Sequence, residues 1–282
     1  MVFLFRLLAA LPLRFTHGLG ALLGWLTYLA SPTYRRHLQE NLQQAGLDSG
    51  LRSSAIAEAG KQALELPSIW LRPPDEIMPR VVKVSGWEAV EQAWRAGKGI
   101  VFLTPHLGCF EITAQYYASH APITVLYRPP KRAFLQALIE TGRRRKNVHL
   151  APADLSGVRS LIKALKRGEA VGLLPDQAPK VGEGVWLDFF GKPAYTMTLA
   201  ARLTETGAAT IFAWAERLPK GAGYHLHLRS AETELTGVTV DRAKQINFEI
   251  ESLIRQCPEQ YLWGYNRYKR PGGAPPAGED AA

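Results

Sequence analysis

A histidine and a glutamate stand five positions apart in a segment that predicts a strand, a tight turn and a helix. The segment reads Ile100-Val-Phe-Leu-Thr-Pro-His-Leu-Gly-Cys-Phe-Glu111. On one ideal helix, residues at this spacing point about 140° apart. His106 and Glu111 can therefore meet only if His106 lies before the first helical turn, and the neighbouring proline and glycine make that arrangement plausible.

A histidine at such a turn could act as a general base on an alcohol. The Glu111 carboxylate would hold the tautomer of His106 and stabilise the imidazolium that forms. The adjacent helix N-terminus would offer partial positive charge to a developing oxyanion or a phosphate. The spacing alone is a weak signal, and a histidine at a strand end is commonly structural. Cys109 is a rival nucleophile, but it falls inside the predicted helix and is close to His106 only in sequence.

The elements that must position this segment alternate between short apolar runs and amphipathic stretches, which is typical of an α/β sheet. Strands are predicted at residues 81–84, 100–103, 123–127, 148–151 and 170–174. Helices are predicted between them at residues 87–95, 108–120, 132–145 and 155–167. Two later runs, residues 209–215 and 224–229, predict an antiparallel edge. Further helices are predicted at residues 32–46, 51–66 and 241–256.

These elements predict one α/β domain over residues 31–271, with a mixed, mainly parallel central sheet flanked by helices. The stretch 175–196 is long for a strand-to-helix connection, which is typical of a functional loop. Its side chains include Trp186, Leu187, Phe189 and Phe190, which are expected either to fold into the core or to contact lipid. Residues 272–282 contain no large apolar residue and predict a disordered tail.

Residues 1–30 are nearly all apolar, contain no acidic residue and have Arg6 and Arg14 as their charges. This composition predicts a membrane-anchoring helix that lies in the interface or barely spans the bilayer, with a buried core helix as the alternative. Arg35 and Arg36 follow directly, which favours a main domain on the cytoplasmic side.

The chain carries a formal net charge of +9 and a pI near 9.6, which indicates an acidic partner. Anionic lipid, an acidic carrier protein and nucleic acid all fit the charge. The chain has no recognisable DNA-reading or RNA-binding motif, so we expect no nucleic acid partner, although a basic binding module without catalysis stays an alternative.

Several short motifs occur together, in one order, along nearly the whole chain. They lie at residues 104–111, 127–131, 142–145, 174–177, 189–194, 258–263 and 266–271. With these motifs the sequence resembles the HxxxxD/E glycerolipid acyltransferases, and specifically the lauroyl/myristoyl transferases that complete lipid A. The resemblance implies a glycerolipid-acyltransferase-like fold and an enzyme of the bacterial inner membrane.

The resemblance also implies the reaction and its residues. The donor would be an acyl thioester on acyl carrier protein, and the acceptor a hydroxyl of a 3-hydroxyacyl chain on an anionic lipid A precursor. His106 and Glu111 would be catalytic, whereas Arg143, Asp176 and Arg128 would bind substrate. Apart from the thioester co-substrate, neither a cofactor nor a metal is expected.

Two enzymatic alternatives stay open. The acceptor could be another glycolipid or a phospholipid, or water could replace it in a lipid or thioester hydrolase that uses the same histidine. The GxSxG and HExxH motifs of common hydrolases are absent from the sequence. His225 and His227 alternate along a predicted strand and therefore share one face, an arrangement that suits two metal ligands. The sequence shows no third ligand nearby, so a structural role is expected.

Overall fold

The computed structural model describes residues 2–47, 49–129, 136, 140, 142, 143 and 145–278. The helices that can be delimited are α1 Val2–Ala10, α2 Leu13–Ala30, α3 Pro32–Gln44, α4 Arg52–Leu71, α5 Pro74–Ile77, α6 Trp87–Ala96, α7 Phe110–Ala118, α8 Leu155–Lys166, α9 Leu199–Thr204 and α10 Thr239–Gln256. The strands are β1 Val81–Ser85, β2 Ile100–Leu103, β3 Ile123–Tyr127, β4 Val148–Pro152, β5 Ala170–Leu173, β6 Gly184–Phe189, β7 Lys192–Met197, β8 Ala209–Arg217 and β9 Tyr224–Ser230. The helix predicted at residues 132–145 lies mostly outside the described residues.

Seven strands form the central sheet in the order β1-β9-β8-β2-β5-β3-β4. All neighbours are parallel except β8 and β9, which pair antiparallel. The predicted mainly parallel α/β sheet is therefore confirmed. The antiparallel pair was expected at an edge, whereas β1 adds to β9 and forms the edge itself. Central strands β2 and β5 are entirely buried, which is why they contain only apolar residues and glycine.

Helices cover both faces of this sheet, and successive residues of β2 point alternately to the two layers. Ile100 and Phe102 pack with α6 and α7, whereas Val101 and Leu103 pack with α8, α9 and α10. The turn that contains His106 follows β2 and therefore lies at the edge of a sheet that helices cover on both faces.

The N-terminal segment, predicted as one helix, folds as two shorter helices separated at Pro12. Helix α2 packs closely against α4 through Gly20 and Gly24, which face Gly60; a Cβ atom on Gly24 would lie 2.1 Å from the Ile56 carbonyl oxygen. Among the described residues, no helix has both the length and the apolar character that crossing a bilayer requires. The opposite face of α1 and α2 exposes Phe3, Leu4, Leu7, Phe15, Leu19, Leu22, Leu23, Trp25, Leu26 and Leu29.

The stretch predicted as a long loop at residues 175–196 contains the antiparallel hairpin of β6 and β7. Phe189 and Phe190 at its turn are buried in the core, as the core-packing alternative predicted.

The C-terminal tail, which was predicted to be disordered over residues 272–282, is described as far as Gly278. Within it Ala274 is buried, and the indole N–H of Trp186 donates to the Pro275 carbonyl at 2.9 Å.

Candidate active site

His106 lies in a turn that backbone contacts hold at the carboxyl end of β2. The Thr104 N–H donates to the Leu173 carbonyl at 2.9 Å, and the His106 carbonyl accepts from the Leu262 N–H at 3.1 Å. Gly108 has φ +61°, and a Cβ atom there would lie 2.0 Å from the Ala215 carbonyl oxygen. Only glycine fits this close approach, so the glycine of the motif shapes the turn that presents His106.

The carboxylate that contacts His106 is Asp176, not Glu111 as the sequence analysis expected. The Nδ1 atom of His106 lies 2.8 Å from Asp176 Oδ1, and the His106 backbone N–H donates to Asp176 Oδ2 at 2.9 Å. The parallel pairing of β2 with β5 explains this contact, because Leu103 is in register with Leu173. His106 and Asp176 each lie three residues beyond that pair, at the same sheet edge.

Asp176 is an ionised carboxylate inside the protein. Its side chain is 1% exposed. Burial by itself would raise the pKa of Asp176, but the charge of His106 and the hydrogen bonds that this residue donates outweigh it and lower the pKa below its ordinary value. Because an ionised carboxylate only accepts, His106 Nδ1 must carry the proton that it donates to Asp176.

The other ring nitrogen of His106 faces a different partner. Its Nε2 atom lies 3.2 Å from the Gln177 side-chain nitrogen, and the side chain is 16% exposed. With Nδ1 protonated, Nε2 carries a lone pair that accepts from the Gln177 amide. The structure therefore presents a basic nitrogen that a substrate hydroxyl could reach by displacing this amide.

Glu111, in the first turn of α7, forms a two-pronged ion pair with Arg143. The guanidinium Nε donates to Glu111 Oε2 at 2.9 Å, and Nη2 donates to Oε1. The Trp70 indole N–H also donates to Oε2 at 3.1 Å, and the Arg143 guanidinium lies over the Trp70 ring. Burial opposes the charged guanidinium, but the charge and hydrogen bonds of Glu111 prevail and raise the pKa of Arg143. Through these two hydrogen bonds, Arg143 fixes the position of the Glu111 carboxylate.

Cys109 is poorly suited to act as a nucleophile. Its side chain is buried, and burial together with the negative charge of Glu65 raises the pKa of its thiol well above the ordinary value. A thiolate is the reactive form, and this environment disfavours it.

Arg128 directly follows β3 and takes part in neither the His106–Asp176 pair nor the Glu111–Arg143 pair. It is exposed and lines a groove of about 620 Å³ together with Lys180 and Arg202. Strand β5 separates β3 from β2, and neighbouring strands are about 4.8 Å apart. Arg128 therefore follows a strand whose backbone lies roughly 10 Å from that of β2, at the same carboxyl edge of the sheet.

A narrow apolar cavity of about 60 Å³ extends between α7 and the sheet. Thr104, Phe110, Glu111 and Arg143 line it on the side of the His106 turn. The remaining lining residues are almost all apolar and come from α6, α7 and six strands of the sheet, together with Leu174 directly after β5. The site therefore combines a partly exposed histidine, a buried carboxylate and an apolar cavity.

The sequence analysis gave no individual role to Gln177 or Trp70. Gln177 follows Asp176 within a motif already quoted, so the β2–β5 register could have indicated it. Trp70 contacts Glu111 from a distant helix, and no local pattern marks that contact. A separate group, Glu216 with His225 and His227, has the side chains to hold a metal.

The fold is a mainly parallel α/β sheet, and a histidine–carboxylate pair lies at the carboxyl edge of its central strands. The sequence model of the family described as bacterial lipid A biosynthesis acyltransferase matches residues 1–270. The chain belongs to this family, and the protein is therefore an acyltransferase.

Individual relatives agree with this assignment. The chain is 30% identical over 208 residues to the lipid A biosynthesis lauroyltransferase of Escherichia coli (strain K12), covering 72% of this chain and 67% of the relative. It is 28% identical over 234 residues to the palmitoleoyltransferase of the same organism, covering 79% and 74%. A lipid A biosynthesis acyltransferase of Haemophilus influenzae is 26% identical over 271 residues, covering 93% and 84%.

Proposed function

We propose that the protein performs a late acylation step of lipid A synthesis. It transfers a fatty acyl chain from an acyl carrier protein thioester to the hydroxyl of a 3-hydroxyacyl chain on a lipid A precursor. The observation that carries this proposal is the His106–Asp176 pair at the sheet edge of a chain in the lipid A acyltransferase family. The relatives named above, whose names all refer to lipid A biosynthesis, support the class of acceptor.

In the first step His106 acts as the general base. The acceptor hydroxyl replaces the Gln177 amide at Nε2, and Nε2 removes its proton as the oxygen attacks the thioester carbonyl. Asp176 keeps the Nδ1 proton in place and stabilises the imidazolium while it exists. Asp176 is a positioning residue in this step, because it acts through His106.

In the second step the tetrahedral intermediate collapses. The carbon–sulfur bond breaks, the new ester forms, and the leaving thiolate takes the proton from His106 Nε2. The N-terminus of α7, which follows the His106 turn, supplies partial positive charge for the oxyanion. Every proton is returned at the end of the cycle, and no acyl-enzyme is required.

Glu111 and Arg143 keep site roles in this scheme, although neither contacts His106 in the described hydrogen bonds. Their ion pair fastens the first turn of α7 to Trp70 on α4 and forms part of the cavity wall. We therefore assign Glu111 the task of fixing the α7 N-terminus relative to His106. Arg143 holds Glu111 and brings positive charge to the place where the thioester would bind.

The cavity and the basic groove suit the two halves of an acyl thioester donor. The apolar cavity beside the His106 turn would take the start of the acyl chain, and binding a whole chain would widen it. Arg128, Lys180 and Arg202 in the larger groove would contact phosphate, either on the pantetheine arm of the carrier or on the lipid acceptor.

The exposed apolar face of α1 and α2 supports a location at the bacterial inner membrane. Ten large apolar side chains on these two helices reach solvent, and such a face partitions into the headgroup and acyl boundary of a bilayer. With α2 packed on α4, the domain would lie at the membrane surface. Arg35 and Arg36, which follow α2, favour the cytoplasmic side, where acyl carrier protein and the lipid precursor can meet.

Comparison of lipid A from cells with and without the protein tests the proposed function. Mass spectrometry should show one additional acyl chain, in ester linkage to a 3-hydroxyacyl group, only when the protein is present. In a purified reaction, label from the acyl thioester should appear in lipid. Release of the label solely as free fatty acid would instead identify a hydrolase, and transfer solely to a phospholipid would overturn the lipid A acceptor.

A further inference from the structure

Two histidines and a glutamate converge on the antiparallel pair of β8 and β9. Glu216 is directly opposite His225 in the register, and His227 is two residues further along β9 on the same face. The Glu216 Oε2 atom lies 3.0 Å from His227 Nε2 and 3.8 Å from His225 Nδ1. All three potential ligand atoms lie within 4.8 Å of one another.

Neighbouring side chains orient both imidazoles. Ser85, on the adjoining strand β1, has its hydroxyl 2.9 Å from His225 Nε2. With Nε2 engaged by Ser85, the Nδ1 atom of His225 is directed towards Glu216. The ring of His227 stacks on the Trp214 indole with centroids 4.4 Å apart and planes inclined by 4°. Metal-binding histidines are commonly fixed through their second nitrogen, as His225 is by Ser85.

The two separations that involve Glu216 are close to those between ligand atoms around a small divalent cation. In a tetrahedral zinc site with bonds near 2.0–2.1 Å, neighbouring ligand atoms are about 3.3 Å apart. The 3.0 and 3.8 Å separations from Glu216 lie on either side of this distance. Two imidazoles and one carboxylate are also a ligand set that zinc favours.

We propose that Glu216, His225 and His227 form a binding site for a divalent transition metal, with zinc as the preferred ion. The three side chains supply three ligands, and a fourth position is left for water or another ligand. The site does not depend on the acyl transfer proposed above, since it uses none of the residues assigned to that reaction.

The position of the site indicates what the metal does. Glu216 follows Ala215, whose carbonyl oxygen accepts the Cys109 N–H at 2.7 Å and closely approaches Gly108 in the His106 turn. A metal that joins Glu216 to His225 and His227 would fix the pairing register of β8 and β9. It would thereby hold Ala215 in place against the His106 turn. Bound metal therefore stabilises the strand pair and the support of the active site.

Metal binding to the tag-free, chelator-treated full chain tests this proposal. Titration with zinc, followed by calorimetry, should show one site per chain, and zinc should raise the melting temperature. Cobalt should give the visible absorption of a tetrahedral site. Both His227→Ala and the nearly isosteric Glu216→Gln should abolish the rise in melting temperature. Ser85→Ala should lower the zinc affinity on the order of 10-fold, and His227→Ala and Glu216→Gln should lower it further.

His149→Ala is the matched control, because His149 is an exposed histidine on another strand, β4. It should bind zinc as the unaltered chain does. Circular dichroism identifies any variant that fails to fold, and Glu216→Gln preserves the test if His227→Ala is unstable. Absence of saturable binding, or equal affinity in the unaltered chain and the folded Glu216→Gln variant, would show that these residues form only a hydrogen-bonded cluster and would overturn the proposal.

Discussion

At the scale of single residues, the site contains two carboxylates with different contacts. Asp176 contacts His106, whereas Glu111 contacts Arg143 and Trp70. The sequence motif predicted His106 itself and both carboxylates as site residues. It could not predict the pairing, because the spacing of His106 and Glu111 reports only local geometry, while Asp176 approaches from a strand 70 residues away.

The two carboxylates should therefore respond differently to conservative substitution. In Asp176→Asn the imidazolium of His106 loses its anionic partner, so the acidic limb of the kcat/KM profile should move to lower pH. The rate should also fall by roughly 10²- to 10⁴-fold. In Glu111→Gln the rate should fall while the acidic limb stays in place. If the acidic limb of the profile instead moves in Glu111→Gln and stays in place in Asp176→Asn, the partner of His106 is Glu111, as first predicted.

Arg143 provides a second prediction at this scale. Lysine keeps the positive charge but lacks the planar fork that donates to both Glu111 oxygens. Arg143→Lys should therefore lose activity well beyond a surface substitution and approach the loss in Arg143→Ala. Arg159→Lys on the far helix α8 serves as the control for arginine replacement in general. If Arg143→Lys and Arg143→Ala both show wild-type kinetics, Arg143 has no role in the site and is only a cation at a helix end.

At the scale of elements, the apolar runs predicted the strands closely. The predicted bounds of β2 and β3 agree with the structure at both ends, because short runs of β-branched and aromatic residues between turn signals suit buried strands. The hairpin of β6 and β7 was not predicted. Its turn places Phe190 at φ +49° before Gly191, and a positive φ at phenylalanine is not a recognisable turn signal.

A buried ionic network joins the N-terminal helices to the sheet. Glu65 on α4 accepts from Arg217 of β8 at 2.7 Å and from the Tyr224 hydroxyl of β9 at 3.1 Å, and it lies 3.3 Å from His17 on α2. Burial alone would raise the pKa of Glu65, but the charge of Arg217 and the His17 contact lower it. The network therefore stabilises the fold as long as Glu65 is ionised.

Replacement of Glu65 should show this stabilisation and its pH dependence. Glu65→Gln leaves Arg217 buried with one carboxylate fewer, which should lower the free energy of unfolding by about 3 kcal/mol at pH 7. Because the folded pKa is lowered, the stabilisation is complete above the unfolded value near 4.3 and is lost as pH falls through the folded value. Denaturant unfolding at several pH values measures the difference, and a gap that widens on acidification would contradict the network.

The cavity between α7 and the sheet gives a second element-scale test. Ala114 lines it, and leucine at this position would narrow the space available to an acyl chain. Ala114→Leu should shift donor preference towards shorter chains, measured as relative kcat/KM across a series of acyl thioesters. Ala96→Leu, on the exposed surface of α6, is the matched control. An unchanged chain-length profile in folded Ala114→Leu would place the acyl chain elsewhere.

At the scale of the whole molecule, the N-terminal segment is part of the domain as well as an apolar surface. The apolar composition of residues 1–30 predicted membrane contact, but composition cannot show the break at Pro12 or the glycine contact between α2 and α4. Deleting these residues would uncover α4 and remove His17 from the Glu65 network. Substitution on the exposed face is therefore the sharper test.

Replacing Leu22, Leu26 and Leu29 together with glutamine should release the protein from membranes. These side chains are 57%, 54% and 64% exposed, so the fold should tolerate the change. If each leucine contributes about 1 kcal/mol to membrane partitioning, the triple variant should bind anionic vesicles on the order of 100-fold more weakly. Phe248→Gln on the exposed side of α10 is the control. Unchanged vesicle sedimentation of the triple variant would assign membrane contact to another surface.

In the proposed mechanism, His106 provides the base for acyl transfer to a lipid hydroxyl. The most direct measurement follows label from an acyl carrier protein thioester into lipid A precursor, with purified unaltered protein, His106→Ala and the exposed-histidine control His149→Ala. Transfer should fall by roughly 10²- to 10⁴-fold in folded His106→Ala and stay unchanged in His149→Ala. Near-normal transfer by folded His106→Ala would contradict a role of His106 as the base.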